Sequence, residues 1–273
     1  MIFSFTPSGR PLRFKHSLRI GLIAITMIVA IAFGQITIAQ QPITATLTVS
    51  AGAGLKPVLT EIQQVYKQIQ PNVTINYNFA SSGSLQRQIE QGAKTDVFIS
   101  ASVEYMNALE KQGFLLSGSR TNLLKNGIAL IAPKNSTAIS SFQDLTKSTV
   151  KRIAIGEPRS VPVGKSAEEI FRYFKITDQV KPKILYTRNG PQILNYVETG
   201  SVDAGITHDS NAKQSNQVRI VALAPEKSYS PLVYPVAILK DSKNLTAARS
   251  FVQFLFSNQA KALFENYGYQ MAN

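Results

Sequence analysis

From Leu55 to Ile69 the apolar residues Leu55, Val58, Leu59, Ile62, Val65, Tyr66 and Ile69 recur every three or four positions. That is the period of one face of an α-helix. Within four residues the period changes to two, as Val73, Ile75, Tyr77 and Phe79 alternate with polar residues in the manner of a half-buried strand. The same exchange of periods continues along the chain. It predicts a strand at 45–50, a helix at 55–69 with Pro57 in its first turn, and a strand at 73–79. A short helix at 84–91 stops at Gly92, a strand at 95–100 follows, and a helix at 103–113 stops at Gly113. Next come a strand at 126–133, a short helix at "SFQDLTK", the strand "RIAIGEP" and a helix at 164–174. "KILYT", "GPQILNYVETG" and "DAGITH" read as strand, helix and strand, and "VRIVALAP" and "LVYPVAIL" as two more strands. Two helices, 245–256 and 258–267, close the chain.

Strands that alternate with helices of about ten residues form βαβ units and parallel sheets. No repeat and no low-complexity linker divides the sequence. Two sheets without a linker imply two lobes that the chain crosses more than once. The crossings fall at the extended segments "KNGIALIAP" and "SPLVYPVAIL", which are suited to act as hinges. Residues 40–126 and 231–273 are expected in lobe 1, and 127–230 in lobe 2.

The first 39 residues depart from this pattern. Arg10, Arg13, Lys15 and Arg19 precede the uncharged run "IGLIAITMIVAIAFG", and small Ala39 closes a cleavage site. Charged, apolar and small-residue regions in that order make a signal peptide. The run is shorter than the roughly 20 residues of a membrane-spanning helix, so the mature protein is expected outside the cytoplasm. The chain has no cysteine, which excludes disulfides, a thiolate nucleophile, cysteine metal sites and a lipid-acceptor cysteine. The formal charge is +13. Residues 1–39 hold four of the 29 Lys and Arg and none of the 16 Asp and Glu, so the remainder carries +9. The basic residues are scattered, which argues against nucleic acid and for a surface that draws in anions.

Ligands of open α/β sheets sit beyond the carboxyl ends of strands, which directs attention to four junctions. Ser50 to Leu55 is built of small residues and lets a ligand approach the backbone. Ala80-Ser81-Ser82-Gly83-Ser84 opens a helix with three hydroxyls. The others are Gly156 to Gly164 and Thr187 to Pro191. Helix starts offer unpaired N–H groups and the positive end of the macrodipole, and so bind anions. The alternative for the serines is that Ser82 or Ser84 caps the helix. His208, the one histidine after residue 39, cannot hold a metal alone; it can give an N–H to an anion, with neighbouring Asp209 placed to orient the ring. No nucleophile elbow, P-loop or G-x-G-x-x-G helix start is present. Asp96 and Asp203 read as turn residues rather than general bases. No enzymatic activity and no cofactor are expected.

"FASSGSLQRQIEQGAKTDVFISAS" resembles the periplasmic molybdate-binding proteins of ABC importers, which are type II periplasmic binding proteins. "LIAPK", "IAIGEPRSVPVGKSAEE", "DAGITHDSNA", "YPVAILK" and "ALFENYGY" extend the resemblance over residues 45–270. It implies an α/β fold of two lobes, each a mixed, mostly parallel sheet flanked by helices, with the ligand cleft between them. It also implies a tetrahedral oxyanion, molybdate or tungstate, held by hydroxyl and N–H donors and passed to a membrane permease. The metal enters as the oxyanion, with no side chain coordinating it, and the chain is expected to act as a monomer without nucleic acid. Matched singly, the motifs place donors at Ser82 (side chain and N–H), Val163, Gly190 and His208 and at the N–H of Gly54, with Ala53, Ser81 and Ser84 in support. Gly54 stands where such proteins usually carry a hydroxyl, and His208 where they tend to carry tyrosine. These two departures bear on which oxyanion is taken. Sulfate or phosphate, and an enzyme or sensor on the same two-lobed fold, stay open as alternatives.

Overall fold

The period change after Ile69 is where the first helix hands over to a strand, and the same logic sets the elements throughout. The computed structural model describes residues 44–272, together with 1–6 and 9. The signal-peptide reading rests on Arg10 to Ala39, which lie outside the described residues. In chain order the strands are β1 (Ala45–Gly52), β2 (Val73–Ala80), β3 (Val97–Ile99), β4 (Thr121–Asn126), β5 (Ile128–Pro133) and β6 (Ile153–Gly156). They continue as β7 (Ile184–Thr187), β8 (Ala204–His208), β9 (Val218–Leu223), β10 (Leu232–Ile238) and β11 (Gln270–Met271). The α-helices are α1 (Lys56–Ile69), α2 (Ser82–Glu90), α3 (Val103–Lys111), α4 (Pro162–Tyr173) and α5 (Thr177–Val180), followed by α6 (Gly190–Glu198), α7 (Asp209–Lys213), α8 (Leu245–Phe254) and α9 (Asn258–Asn266).

The strands form two sheets, ordered β11-β4-β10-β3-β1-β2 and β7-β6-β8-β5-β9. Both are mixed and flanked by helices, as expected, but not mostly parallel: among the described residues four strand pairings are parallel and five antiparallel, because the strands next to the crossings run against their neighbours. β1 runs parallel to β2 and β3, and β6 parallel to β7 and β8. Every antiparallel pairing includes β4, β5 or β10, the strands that adjoin the crossings. One expectation needs correction. The segment 126–133 is not one strand: Gly127 breaks it, so that β4 belongs to the first sheet and β5 to the second. The apolar run itself, from Ile128, lies wholly in β5, so its pattern carries no sign that Asn126, just before the glycine, belongs to the other sheet. "SFQDLTK" yields only a 3₁₀ turn, Gln143–Thr146, too short to propagate as a helix.

Each sheet has its own core. Tyr66, Phe251, Phe254 and Phe264 pack with the β1, β3 and β10 side chains around the first sheet. The Tyr66 and Phe251 rings meet edge-on at 5.2 Å between centroids. Phe142, Phe171, Ile170 and Ile193 fill the core around the second. Burying each such side chain contributes about 1.5–3 kcal/mol. β2 is an edge strand, and its exposed Thr74 and Asn76 alternate with buried Val73 and Ile75. β3 and β8, flanked on both sides, are buried at every position.

The aspartates at strand starts are structural. Asp96 Oδ2 accepts the Thr48 N–H at 2.8 Å and Oδ1 accepts the Ser242 hydroxyl at 2.6 Å. Asp203 Oδ2 accepts the N–H groups of Lys151 and Arg152 at 2.7 and 2.9 Å. Among the described residues no helix is long and apolar enough to cross a membrane.

Close backbone approach seats α4 on the end of β6. A Cβ at Gly164 would collide with the Gly156 carbonyl, so glycine at 164 lets the helix start sit directly over the strand. Gly164→Ala should therefore destabilise the protein by about 1–3 kcal/mol, read as a lower urea midpoint. An unchanged midpoint would show that the helix can shift without cost.

Candidate functional site

Five strands of the two sheets end at one place. β1 ends at Gly52, β2 at Ala80, β6 runs through the 157–161 turn to Pro162, β7 leads to Asn189, and β8 ends at His208. Their end segments line one small cavity together with Ala53, Gly54, Ser81, Ser82, Ala101, Val161, Gly190 and Tyr234. The cavity is about 20 Å³. One water needs roughly 10–15 Å³ of such space, so a single compact ion fits and a sugar or an amino acid does not. No lysine or arginine lines it.

Three helices of the two lobes begin at this cavity: α2, α4 and α6. The first N–H groups of a helix have no acceptor within it. In α2 the Gly83 N–H donates to Ser160 O at 3.1 Å. In α4 Pro162 has no N–H, and Gly164 donates to Val161 O at 2.9 Å. In α6 Pro191 has none, and Gln192 donates to the side chain of Asn189, the N-cap, at 3.0 Å. The N–H groups of Ser82, Val163 and Gly190 are not spent in this way. Ser82 is 1% exposed and its Oγ accepts the Ala101 N–H at 2.9 Å. Its own proton is left to donate.

The serines divide their tasks differently from a simple cap. Ser81 is the N-cap of α2 and makes no side-chain cap; its hydroxyl donates to Ser84 Oγ at 2.7 Å. Ser82 is the first helical residue. Ser84 is outside the cavity lining and buttresses Ser81. The capping alternative for Ser82 or Ser84 is thus corrected. Val163 also differs from a wall residue. Its side chain is buried in the second core, and Val161 and Pro162 form the wall there. Gly54, Ala53, Gly190 and His208 all line the cavity, and the Tyr269 hydroxyl fixes the first turn by donating to Gly54 O at 3.0 Å.

The two sheets touch directly beside the cavity. Besides the Gly83 to Ser160 bond, Lys165 of α4 pairs with Glu104 of α3. A Cβ on Gly83 would stand 2.9 Å from Ser160 Cα and 3.0 Å from its carbonyl oxygen, so only glycine permits this approach. Asn126, at the first crossing, ties the parts around it. Its Nδ2 donates to Ser210 Oγ at 2.8 Å and to the Tyr234 hydroxyl at 3.0 Å, and its Oδ1 accepts the Gly127 N–H at 2.9 Å.

His208 is 6% exposed, and its Nε2 has no partner among the described residues. Burial pushes its pKa down to about 4, so the ring is neutral near pH 7. Asp209 does not orient it; that carboxylate pairs with Lys213 at 2.7 Å. Tyr234 packs edge-on to His208 at 5.8 Å between centroids.

Tyr234, Asn189 and Ala101 line the cavity without having been singled out as donors. Periodicity shows only that such residues are buried or in turns. Among the described residues no group of three His, Cys, Asp or Glu could hold a metal. A larger cavity of about 500 Å³ lies at the opposite end of the first sheet, near Thr48, Lys94 and Asp96. The Asp96 carboxylate there is already bonded on both oxygens, and only one helix, α8 with its N-cap Asn244, begins at it, against three at the smaller cavity.

The family of bacterial extracellular solute-binding proteins matches residues 47–270. A Bacillus subtilis protein described as an ABC transporter substrate-binding lipoprotein is 41% identical over 225 residues, 82% of this chain and 86% of its own length. The molybdate-binding protein of Haemophilus influenzae is 32% identical over 229 residues, 82% of this chain and 90% of that protein. A solved substrate-binding domain from Clostridium difficile, described as that of a molybdenum ABC transporter, is 37% identical with a TM-score of 0.68. The match covers 84% of this chain and 100% of that domain.

The buried neutral imidazole has a pH signature. Its folded pKa of about 4 lies below the unfolded value of roughly 6.5. Between these values the unfolded chain takes up a proton that the native ring does not, so stability falls as pH drops through this window. The loss is at most about 1.4 kcal/mol per pH unit, and there is none from this group above pH 7. Thermal melts of the anion-free protein from pH 7.5 to 4.5 should show a steeper decline for wild type than for His208→Gln. Parallel profiles would mean that His208 does not stay neutral and buried.

Proposed function

The chain belongs to the bacterial extracellular solute-binding protein family, and from that premise we propose that its solute is molybdate, with tungstate bound alike. It is a solute-binding protein and not an enzyme. In this reading it captures the oxyanion outside the cytoplasm as a monomer and delivers it to the permease of an ABC importer.

One observation carries the reading: helix starts from both sheets, with the Ser82 hydroxyl, converge on an ion-sized cavity that has no cationic side chain. Such a site supplies donors and helix-dipole potential without a fixed counter-charge. Ser82 acts through its hydroxyl and N–H, Val163, Gly190 and Gly54 through their N–H groups, and His208 through a ring N–H. Ala53, Ser81 and Ser84 hold the turns in place. Each hydrogen bond to the charged ligand contributes about 1.5–3 kcal/mol. Selection over sulfate follows from the size of a rigid cavity. The ligand joins both sheets, so binding favours the closed arrangement. The hinges are the crossings at Gly127 and at 224–231, the second lying ahead of the expected segment "LVYPVAIL", which is β10 of the first sheet.

A second reading, another tetrahedral oxyanion, draws on His208. Its neutral ring has an acceptor nitrogen as well as a donor, and monohydrogen phosphate has a proton to offer it.

A thermal-shift panel separates the readings. Molybdate and tungstate at micromolar levels should raise Tm, by about 2.7 kcal/mol of stabilisation at 100 times Kd, while sulfate and phosphate should not. Stabilisation by phosphate or sulfate alone would replace the ligand assignment. By calorimetry, Ser82→Ala should weaken molybdate binding about 10- to 100-fold. Gly83→Ala, which removes no donor from the ligand, should weaken it as well by holding the sheets apart. Wild-type affinity in Gly83→Ala would show that closure does not depend on that contact.

A further inference from the structure

The segment Thr207 to Asn211 holds Thr207 Oγ1, His208 Nε2, Asp209 Oδ1 and Asn211 Nδ2, each buried without a hydrogen-bond partner among the described residues. Asn211 stands out by position. It lies in α7, on the second-sheet side, and is 4% exposed. A Cβ built on Gly54 would be 3.1 Å from both Asn211 Nδ2 and Oδ1, and one built on Gly190 would be 3.4 Å from Nδ2. Gly54 and Gly190 line the cavity, one from each sheet. The amide therefore lies directly behind two cavity glycines. Leaving a buried amide donor unpaired is costly, and an apolar residue would fill this place without that cost.

We propose that Asn211 determines anion selectivity and affinity by supplying, between Gly54 and Gly190, a donor that reaches the anion only when the sheets are closed. The inference rests on the reading of the cavity as an oxyanion site. The terminal torsion of an asparagine is broad, so a modest turn of the amide carries Nδ2 through the gap that the glycines leave. Asp209, two residues before it, has one carboxylate oxygen paired with Lys213. The arrangement also explains glycine at 54: any side chain there must displace the amide. Position 54 and Asn211 then form one unit, in which the donor comes either from a side chain at 54 or from Asn211.

The test is calorimetric titration of sodium molybdate, with sulfate and phosphate alongside, into wild type, Asn211→Ala, Gly54→Ser and the double variant. Asn211→Ala should lose about tenfold or more in affinity while the Tm of the anion-free protein holds or rises. A spacer role would instead lower that Tm and leave affinity alone. Gly54→Ser should weaken binding in wild type and restore it in the Asn211→Ala background, a non-additive cycle. Asn211→Asp, of nearly the same shape, should lose at least about 100-fold, as a carboxylate then faces the anion. Equal affinity of wild type and Asn211→Ala, or wild-type affinity in Asn211→Asp, would overturn the proposal. If wild type binds none of the three anions, the oxyanion reading falls and the inference with it. If it binds sulfate or phosphate rather than molybdate, the same four-way comparison with that anion decides the role of Asn211.

Discussion

An anion can be held without a cation only if enough N–H and O–H groups converge on it at once. Here no single lobe brings enough of them together. Ser82 and Gly54 belong to turns of the first sheet, and Val163, Gly190 and His208 to turns of the second. The proposed site is therefore complete only in the closed arrangement, in which Gly83 N and Ser160 O come within 3.1 Å across the cleft. Everything else in the chain serves that approach. Glycine at 83 removes the side chain that would block it. The two separate cores make each half stiff enough that the approach moves whole sheets rather than single loops.

The fold supplies donors through parallel strand–helix units. A strand that ends beside the cleft hands the chain to a helix whose first N–H groups have no partner of their own. Some of these N–H groups are engaged within the protein, by Ser160 O, Val161 O and Asn189 Oδ1. Prolines at 162 and 191 remove others. What is left is a small set of directed donors in a buried space, where hydrogen bonds are stronger than in water. Keeping His208 neutral is consistent with this design, because a fixed buried charge would itself require compensation.

Much of the fold could be read from the sequence because its signals are local. The exchange of helical and alternating periods predicts α1, β2 and most later elements, and small hydroxyl-rich junctions mark where they meet the ligand. What could not be read depends on approach between distant segments. Gly127 divides one extended segment between two sheets, and the strand pattern on either side of it conceals the change of sheet. Gly83 looks like a turn residue and serves as a contact with Ser160, 77 positions away by number. Asn211 follows His208 by three residues, and nothing in the local pattern shows that its amide fills the space vacated at Gly54. The cap expected at Ser82 or Ser84 fails for a similar reason: the N-cap is Ser81, whose hydroxyl bonds to Ser84 Oγ.

The most direct test is a crystal grown with molybdate, with data collected across the molybdenum absorption edge. The account predicts one anomalous peak between the two sheets, within hydrogen-bond reach of Ser82 Oγ and the Gly190 N–H, with no lysine or arginine nitrogen in contact. A peak in the larger cavity near Asp96, or one coordinated by basic side chains, would contradict it.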